Sequence, residues 1–312
     1  MRRTVGLRLC WALTLLSVLT PGLPASAQQV PPEYQAVQTT LGRTGDFKDG
    51  VLKIGLPRTD LTMTVAGVAL PTPFGFSGWI AMTRGDGGME VMMGDLVLTE
   101  DQVNPVMSAL LDNNLEVSAL HNHFFWEQPR VFYLHLHGHG LAADLARRVK
   151  PAIDLLSKAT ASPSGASTGA AAGGGGVKVT PELVAKAVGY AGDQLGSVYK
   201  ITVGRPDITL VEMGAPIGVR MGLNTWAAFA GSDEDAVVAG DVAMLEDEVT
   251  PVLKALRAAG LDIVAIHHHM TGSRPVVIFL HYWGRGPALK LAQGVRAALD
   301  VLGRHGRAPM SP

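Results

Sequence analysis

The chain repeats itself, and the repeat limits its folds more than any other feature. The segment Leu120–Gly140, LHNHFFWEQPRVFYLHLHGHG, returns without a gap 146 positions later as Ile266–Gly286, IHHHMTGSRPVVIFLHYWGRG. His121, His123, Pro129, Val131, Leu134, His135, Gly138 and Gly140 recur as His267, His269, Pro275, Val277, Leu280, His281, Gly284 and Gly286. Upstream, Gly45-Asp46, Lys53-Ile54, Arg58, Asp60 and Trp79 recur as Gly192-Asp193, Lys200-Ile201, Arg205, Asp207 and Trp226 at an offset of 147. A one-residue deletion in the turn near Gly85 to Gly88 brings the offset to 146, the kind of change a surface turn tolerates. The chain is therefore expected to form two tandem homologous domains.

Each unit opens with short β-branched or apolar runs separated by Gly, Pro and Asp. Strands are predicted at Val51 to Pro57, Leu61 to Val65, Trp79 to Thr83 and Met89 to Leu98, and in the second copy at Val198 to Val203, Ile208 to Met213, Trp226 to Phe229 and Ala236 to Met244. A helix follows. Pro105 and Pro251 suit its first position, where a missing N–H costs nothing, which makes Asn104 and Thr250 the expected N-caps. The alternative is a longer helix from Glu100, kinked at the proline. After the histidine segment a second amphipathic helix is predicted at Leu141 to Lys158 and Pro287 to Gly303. The fold class is α+β: two tandem homologous domains, each a mostly antiparallel sheet with two helices packed on one face.

Residues 1–27 carry Arg2, Arg3 and Arg8, an apolar run from Leu9 to Leu19 and an Ala25-Ser26-Ala27 cleavage signal, so they read as a secretory signal peptide. Repeat domain 1 is expected at 33–158 and repeat domain 2 at 180–304, followed by a tail at 305–312. Between the domains, residues 159–179 are rich in Gly, Ala and Ser and form an expected flexible linker. Removing the signal peptide leaves a net charge of −4 and no cysteine, since Cys10 lies within it. That balance argues against a nucleic-acid partner, which needs a basic stripe. It also excludes thiolate metal ligands. The expected location is periplasmic or secreted, with no membrane span after signal removal and an open oligomeric state.

Nine of the ten histidines fall in the repeated segments. Residues two apart on a strand share a face, so His121 with His123, and His267 with His269, point the same way. If each strand pair closes around its proline turn, His121 sits opposite His135 and His267 opposite His281, and directly paired Cβ atoms lie about 4.5–5.5 Å apart. Metal sites are therefore expected at His121, His123 and His135 and at His267, His269 and His281, each holding one ion or both meeting in a shared cleft. Imidazole donors without sulfur favour Zn(II) or Cu(II). Asp95 or Asp241 is a candidate fourth ligand. Structural histidines satisfied by hydrogen bonds are the plainer alternative. Glu100 and Glu246 are weighed as general bases and as acids complementing a helix dipole, Glu127 as an acid present in one copy only, and Trp79 and Trp226 as core anchors. His137, His139 and His268 have no histidine counterpart and are set aside as ligands.

Three functions remain open: a metal-binding protein, a metal-dependent hydrolase using water at the histidines, and a metal-free module that binds an envelope ligand or partner. The exported start, the duplication, the G-D-x-x-x-x-E-D-x-V-x-P-V segments at Gly94 and Gly240, and the paired H-x-H and L-H motifs resemble the LppY/LpqO family of exported bacterial proteins. The resemblance spans about Tyr34 to Gly303 apart from the linker. It implies a place at the cell envelope and no settled reaction. Some members of that family are lipoproteins, whereas Cys10 is poorly placed for lipid attachment, so a released form is expected.

Overall fold

The computed structural model describes residues 29–156 and 178–303. The expected signal peptide, most of the linker and the tail lie outside them. The first domain runs α1 (Pro32–Leu41), β1 (Asp46–Lys48), β2 (Val51–Pro57), β3 (Met63–Val65), β4 (Val68–Leu70), β5 (Ser77–Arg84), β6 (Glu90–Thr99), α2 (Glu100–Asp112), β7 (Glu116–His121), β8 (Glu127–Gln128), β9 (Val131–Gly140) and α3 (Ala142–Leu156). The second runs α4 (Pro181–Val188), β10 (Asp193–Leu195), β11 (Val198–Gly204), β12 (Val211–Glu212), β13 (Ala215–Pro216), β14 (Asn224–Gly231), β15 (Ala236–Leu245), α5 (Val249–Ala258), β16 (Asp262–His267), β17 (Val277–Gly286) and α6 (Ala288–Leu299).

Each domain builds a six-stranded antiparallel sheet, in the order β1-β2-β5-β6-β9-β7 and β10-β11-β14-β15-β17-β16. The α+β duplication is thus as expected. The indel falls in the β5–β6 turn, with five residues from Gly85 to Met89 against four from Ser232 to Asp235.

Period-2 alternation sorts the side chains. From β6 and β9, Met92, Leu96, Leu98, Leu134 and Leu136 face α1, α2 and α3 and form one core. The opposite face of the same strands, including Val97, Val131 and Tyr133, packs with Val198, Ala228, Val237, Ala239 and Trp283 of the second domain. A further mixed core joins Val51, Ala81, Val91 and Met93 to Leu210, Ile217, Met221, Ala243 and Phe279. The molecule is four layers, helices, sheet, sheet, helices, and the sheets meet face to face. This explains why β6 and β15 are buried at nearly every position.

The excursions between the second and third strands of each large sheet cross over. The turn at Thr72–Phe74 contacts β11 and β14 of the other domain, and the turn at Val219–Met221 contacts β2 and β5.

Some expectations need correction. A third helix in each domain, α1 and α4, packs against α3 and α6. In α1 the polar run QTT hid it, and α4, Pro181–Val188, is only eight residues long. Asn104 and Thr250 are not N-caps. The longer first helix is the one observed, with Pro105 inside it, because the Thr99 N–H donates to Gln102 Oε1 at 3.1 Å and so starts the helix earlier. Glu248 does the same for the Leu245 N–H at 2.7 Å, which puts Pro251 in the first turn of α5. Val179, at the end of the expected linker, is buried in the second core.

Candidate metal centre

The two edge strands β7 and β16 approach one another where the sheets meet, and Ser118 Oγ donates across this seam to the His269 carbonyl at 2.6 Å. His121 ends β7 and His267 ends β16. Their rings stack with centroids 3.7 Å apart. His135 and His281 occupy the middle of β9 and β17, in register with Asp95 and Asp241 of the neighbouring strands. His123 and His269 lie just beyond the edge strands. All six repeated histidines therefore converge on one place.

Their grouping differs from the expected hairpin geometry. The register sets His121 opposite Tyr133 and His135 opposite Ala119, and likewise His267 opposite Phe279 and His281 opposite Ala265. The connection from β7 to β9 is no tight turn. It runs out to pair β8 with β3, and a register shift between Val117 and Ala119 moves the strand again. His123 and His269 are not strand residues, and they stack on Tyr133 and Phe279 at 3.2 and 3.4 Å. Their nearest histidine rings belong to the other domain: His123 with His281 at 3.7 Å, and His269 with His135 at 4.2 Å. Within a domain the His121–His135 and His267–His281 centroids are 5.0 and 4.8 Å apart.

Three groups bring one ligand atom from each member within 4.8 Å of the others: His121, His135 and His267; His121, His123 and His281; and Asp241, His267 and His269. The first two mix the domains. His121 Nε2 and His281 Nε2 stand 3.2 Å apart, a distance that suits a hydrogen bond or the edge of a tetrahedron around an ion with Zn–N near about 2.0–2.1 Å. His281 Nδ1 is 3.1 Å from the Gly240 carbonyl, which fixes that ring and leaves Nε2 for the cluster. His269 Nε2 lies 3.4 Å from Asp241 Oδ2.

Buried ring nitrogens usually find a partner. Here His121 Nδ1, both nitrogens of His123, His135 Nε2, both nitrogens of His267 and His269 Nδ1 have none in the protein, nor does Asp95 Oδ1. Burial, reinforced by the neighbouring imidazoles, drives the pKa values of His121, His123, His135 and His267 well down. Burial also lowers His269 to about 3 and His281 to about 4. The rings are held neutral, the form that coordinates metal. Burial raises Asp95, helped by the charge of Asp241, and brings Asp241 to about 6. These donors fit a borderline transition metal, and the cluster is compatible with binding one.

The cluster opens onto a cavity of about 830 Å³ between the sheets, with His123, His269, His281, Asp95 and Asp241 in its walls. Trp79 and Trp226 also line it and are partly exposed, so they are cavity walls as well as packing residues. The Lys53 and Lys200 ammonium groups sit over those rings at 4.1 and 4.2 Å. Gly222 closes the wall beside Trp79. Its φ of +98° and a Cβ that would stand 3.2 Å from the indole reserve this place for glycine.

Glu100 and Glu246 are exposed and outside the cavity, so neither can serve these histidines. Glu127 is buried and raised in pKa by burial, receives a long 3.4 Å bond from Asn122 and lies outside the three groups. His137 binds Glu212 Oε2 of the other domain at 2.5 Å, an inter-domain tie. His268 is exposed. Sequence reasoning assigned no role to Lys53 or Lys200. The available signal was a lysine at the same point of an apolar strand in both copies.

A face-to-face pair of duplicated α+β domains around a buried histidine cluster defines the class. The chain belongs to the Domain of Unknown Function (DUF1259) family, whose model matches residues 35–155 and again 182–301. No curated protein matches the sequence. Among solved structures it is similar to the trimeric bacterial microcompartment shell protein PduB, at 14% identity over 84% of this chain and 91% of that one, with a TM-score of 0.21. It is also similar to EtuB from Clostridium kluyveri, at 14% identity, 86% and 96% coverage and a TM-score of 0.21.

Proposed function

We propose that the protein is an exported transition-metal protein whose ions are shared between its two domains. Each site takes the H-x-H pair of one domain and the remaining histidine of the other: His121, His123 and His281 on one side, His267, His269 and His135 on the other. Zn(II) or Cu(II) suits these donors. The observation that carries the reading is the convergence of six neutral imidazoles, five of which keep at least one buried ring nitrogen without a protein partner. The signal-like start and the LppY/LpqO resemblance support a periplasmic or secreted location. Among the described residues no helix is long and apolar enough to cross a membrane.

Elemental analysis of protein purified without a histidine tag tests this. Wild type is expected to carry stoichiometric transition metal, with His121→Ala and His267→Ala each lowering the content of both sites, because these two rings stack on one another. His268→Ala, which alters an exposed ring, leaves the content unchanged. Metal-free wild type after growth and dialysis with Zn(II) and Cu(II) would sink the reading.

The cavity beside the histidines favours metal-dependent hydrolysis as a second reading. A metal held there supplies Lewis-acid polarisation. Asp241, raised to about 6, is placed to take a proton near neutral pH. Ester and phosphoester hydrolysis by the metal-loaded protein, lost in Asp241→Asn with metal retained, is the expected result. Equal turnover by the variant excludes that role for Asp241.

A further inference from the structure

The histidines and their acids do not account for the cations in the cavity. Lys53 and Lys200 enter from β2 and β11, one from each domain, and both are only partly exposed. Each lies over a tryptophan, and among the described residues neither makes a hydrogen bond or an ion pair. Arg220 also lines the cavity, with its Nη2 on Asp46 Oδ2 at 2.8 Å and its buried Nε without a partner. Burial lowers both lysines to about 8, and for Lys53 the charges of Lys200 and Arg220 add to the effect. The charge of Asp95 acts on Lys53 and that of Asp241 on Lys200, but burial pushes both acids toward their neutral forms, so an anion joining the gathered cations offsets the cost of burying them. The duplication doubles the cation, and the cavity walls also carry the apolar side chains of Pro57, Pro71, Pro73 and Val219.

We propose that this cavity binds a small organic dianion, with one oxyanion group on Lys53, the other on Lys200, and a carbon body against Trp79 and Trp226. The oxyanions are carboxylates or phosphates, which share the same recognition chemistry. The inference goes beyond metal binding and stands without it, because neither lysine belongs to the histidine cluster.

Calorimetric titration of the full chain, both metal-loaded and after chelator treatment, tests it with succinate, glutarate and adipate, with inorganic phosphate, and with neutral glutaramide. At least one anion is expected to bind and glutaramide is not. Binding by phosphate alone assigns the oxyanions to phosphate, and binding by a dicarboxylate assigns them to carboxylate. Lys53→Met and Lys200→Met each weaken binding about tenfold or more, the double variant abolishes it, and Lys53→Arg retains it. Metal content stays at the wild-type level in all of them. Where a variant does not fold, wild type still reports: bound anion protects Lys53 and Lys200 from acetylation mapped by mass spectrometry. Failure of every anion to bind wild type, equal binding of glutaramide, unchanged affinity in the double variant, or acetylation indifferent to the anion each overturns the proposal. Anion binding by metal-stripped protein separates this inference from the histidine reading, since either can then fail alone.

Discussion

Lys53 and Lys200 show how a repeat converts one side chain into a paired feature. Both are expected to titrate near 8 when followed by NMR of isotopically methylated lysine, against an ordinary lysine value near about 10.4. Tyr133 carries a natural control, because Phe279 fills its place in the second repeat. Its hydroxyl donates to the Gly75 carbonyl at 2.9 Å, so Tyr133→Phe is expected to cost about 0.5–1.5 kcal/mol in a urea melt while His123 keeps its stacking partner. The histidines set the response to acid. Their folded pKa values lie below the unfolded value of about 6.5, so below that pH the unfolded chain takes up protons that the fold refuses. Their contribution is fully present above about pH 6.5 and is lost as pH falls toward the values of about 4 and 3 at His281 and His269. Asp95 and Asp241, raised by burial, work in the opposite sense, costing stability as pH rises above about 3.8. With six rings against two carboxyls, metal-stripped protein is expected to lose stability steeply from pH 7 to pH 4. A flat profile of urea midpoints over that range would contradict burial of the neutral rings.

The strands that carry the site are held by close helix packing. Gly138 and Gly284 lie where β9 and β17 pass the helices, and a Cβ there would come within 2.6 Å of Leu115 and 2.3 Å of Leu261. Gly138→Ala and Gly284→Ala are each expected to destabilise by about 1–3 kcal/mol through overpacking, read from chemical denaturation. The turn into α2 depends on Arg58, whose guanidinium grips Asp60 and reaches Gln102 Oε1 at 2.9 Å. In α5 the equivalent Arg205 meets Glu248 at 2.8 Å. The repeated Arg-x-Asp motif is thus a brace for the helix start, and it explains why Pro105 does not begin the helix. The long strands of each sheet were legible because β-branched alternation is local, whereas the short strands Asp46–Lys48, Val68–Leu70, Asp193–Leu195 and Ala215–Pro216 are too brief to show it, and the strand expected over Ile208 to Met213 shrinks to Val211–Glu212. Helix starts were misjudged because the deciding partner, Arg58, lies more than forty residues away.

The whole molecule depends on its two halves covering one another. Each sheet has an apolar face toward the other domain, and residues from both domains share two of the cores. A separately expressed 29–158 is therefore expected to self-associate or aggregate in size-exclusion chromatography, and mixing it with 178–303 should restore a monomeric pair that binds metal. Two halves that each stay monomeric and bind a full complement of metal would show that the histidine sets act within one domain.

Duplication, sheet-and-helix class, the long strands and the recurrence of the six histidines could be read from the chain, since each depends on neighbours in sequence or on the offset between copies. Which histidines meet, and that Trp79, Trp226, Lys53 and Lys200 surround one cavity, depended on the sheets packing face to face and exchanging their excursions. A periodic pattern shows that a face is apolar. It does not show what covers that face, because hydrophobic burial has no direction and the covering partner lies about 146 residues away.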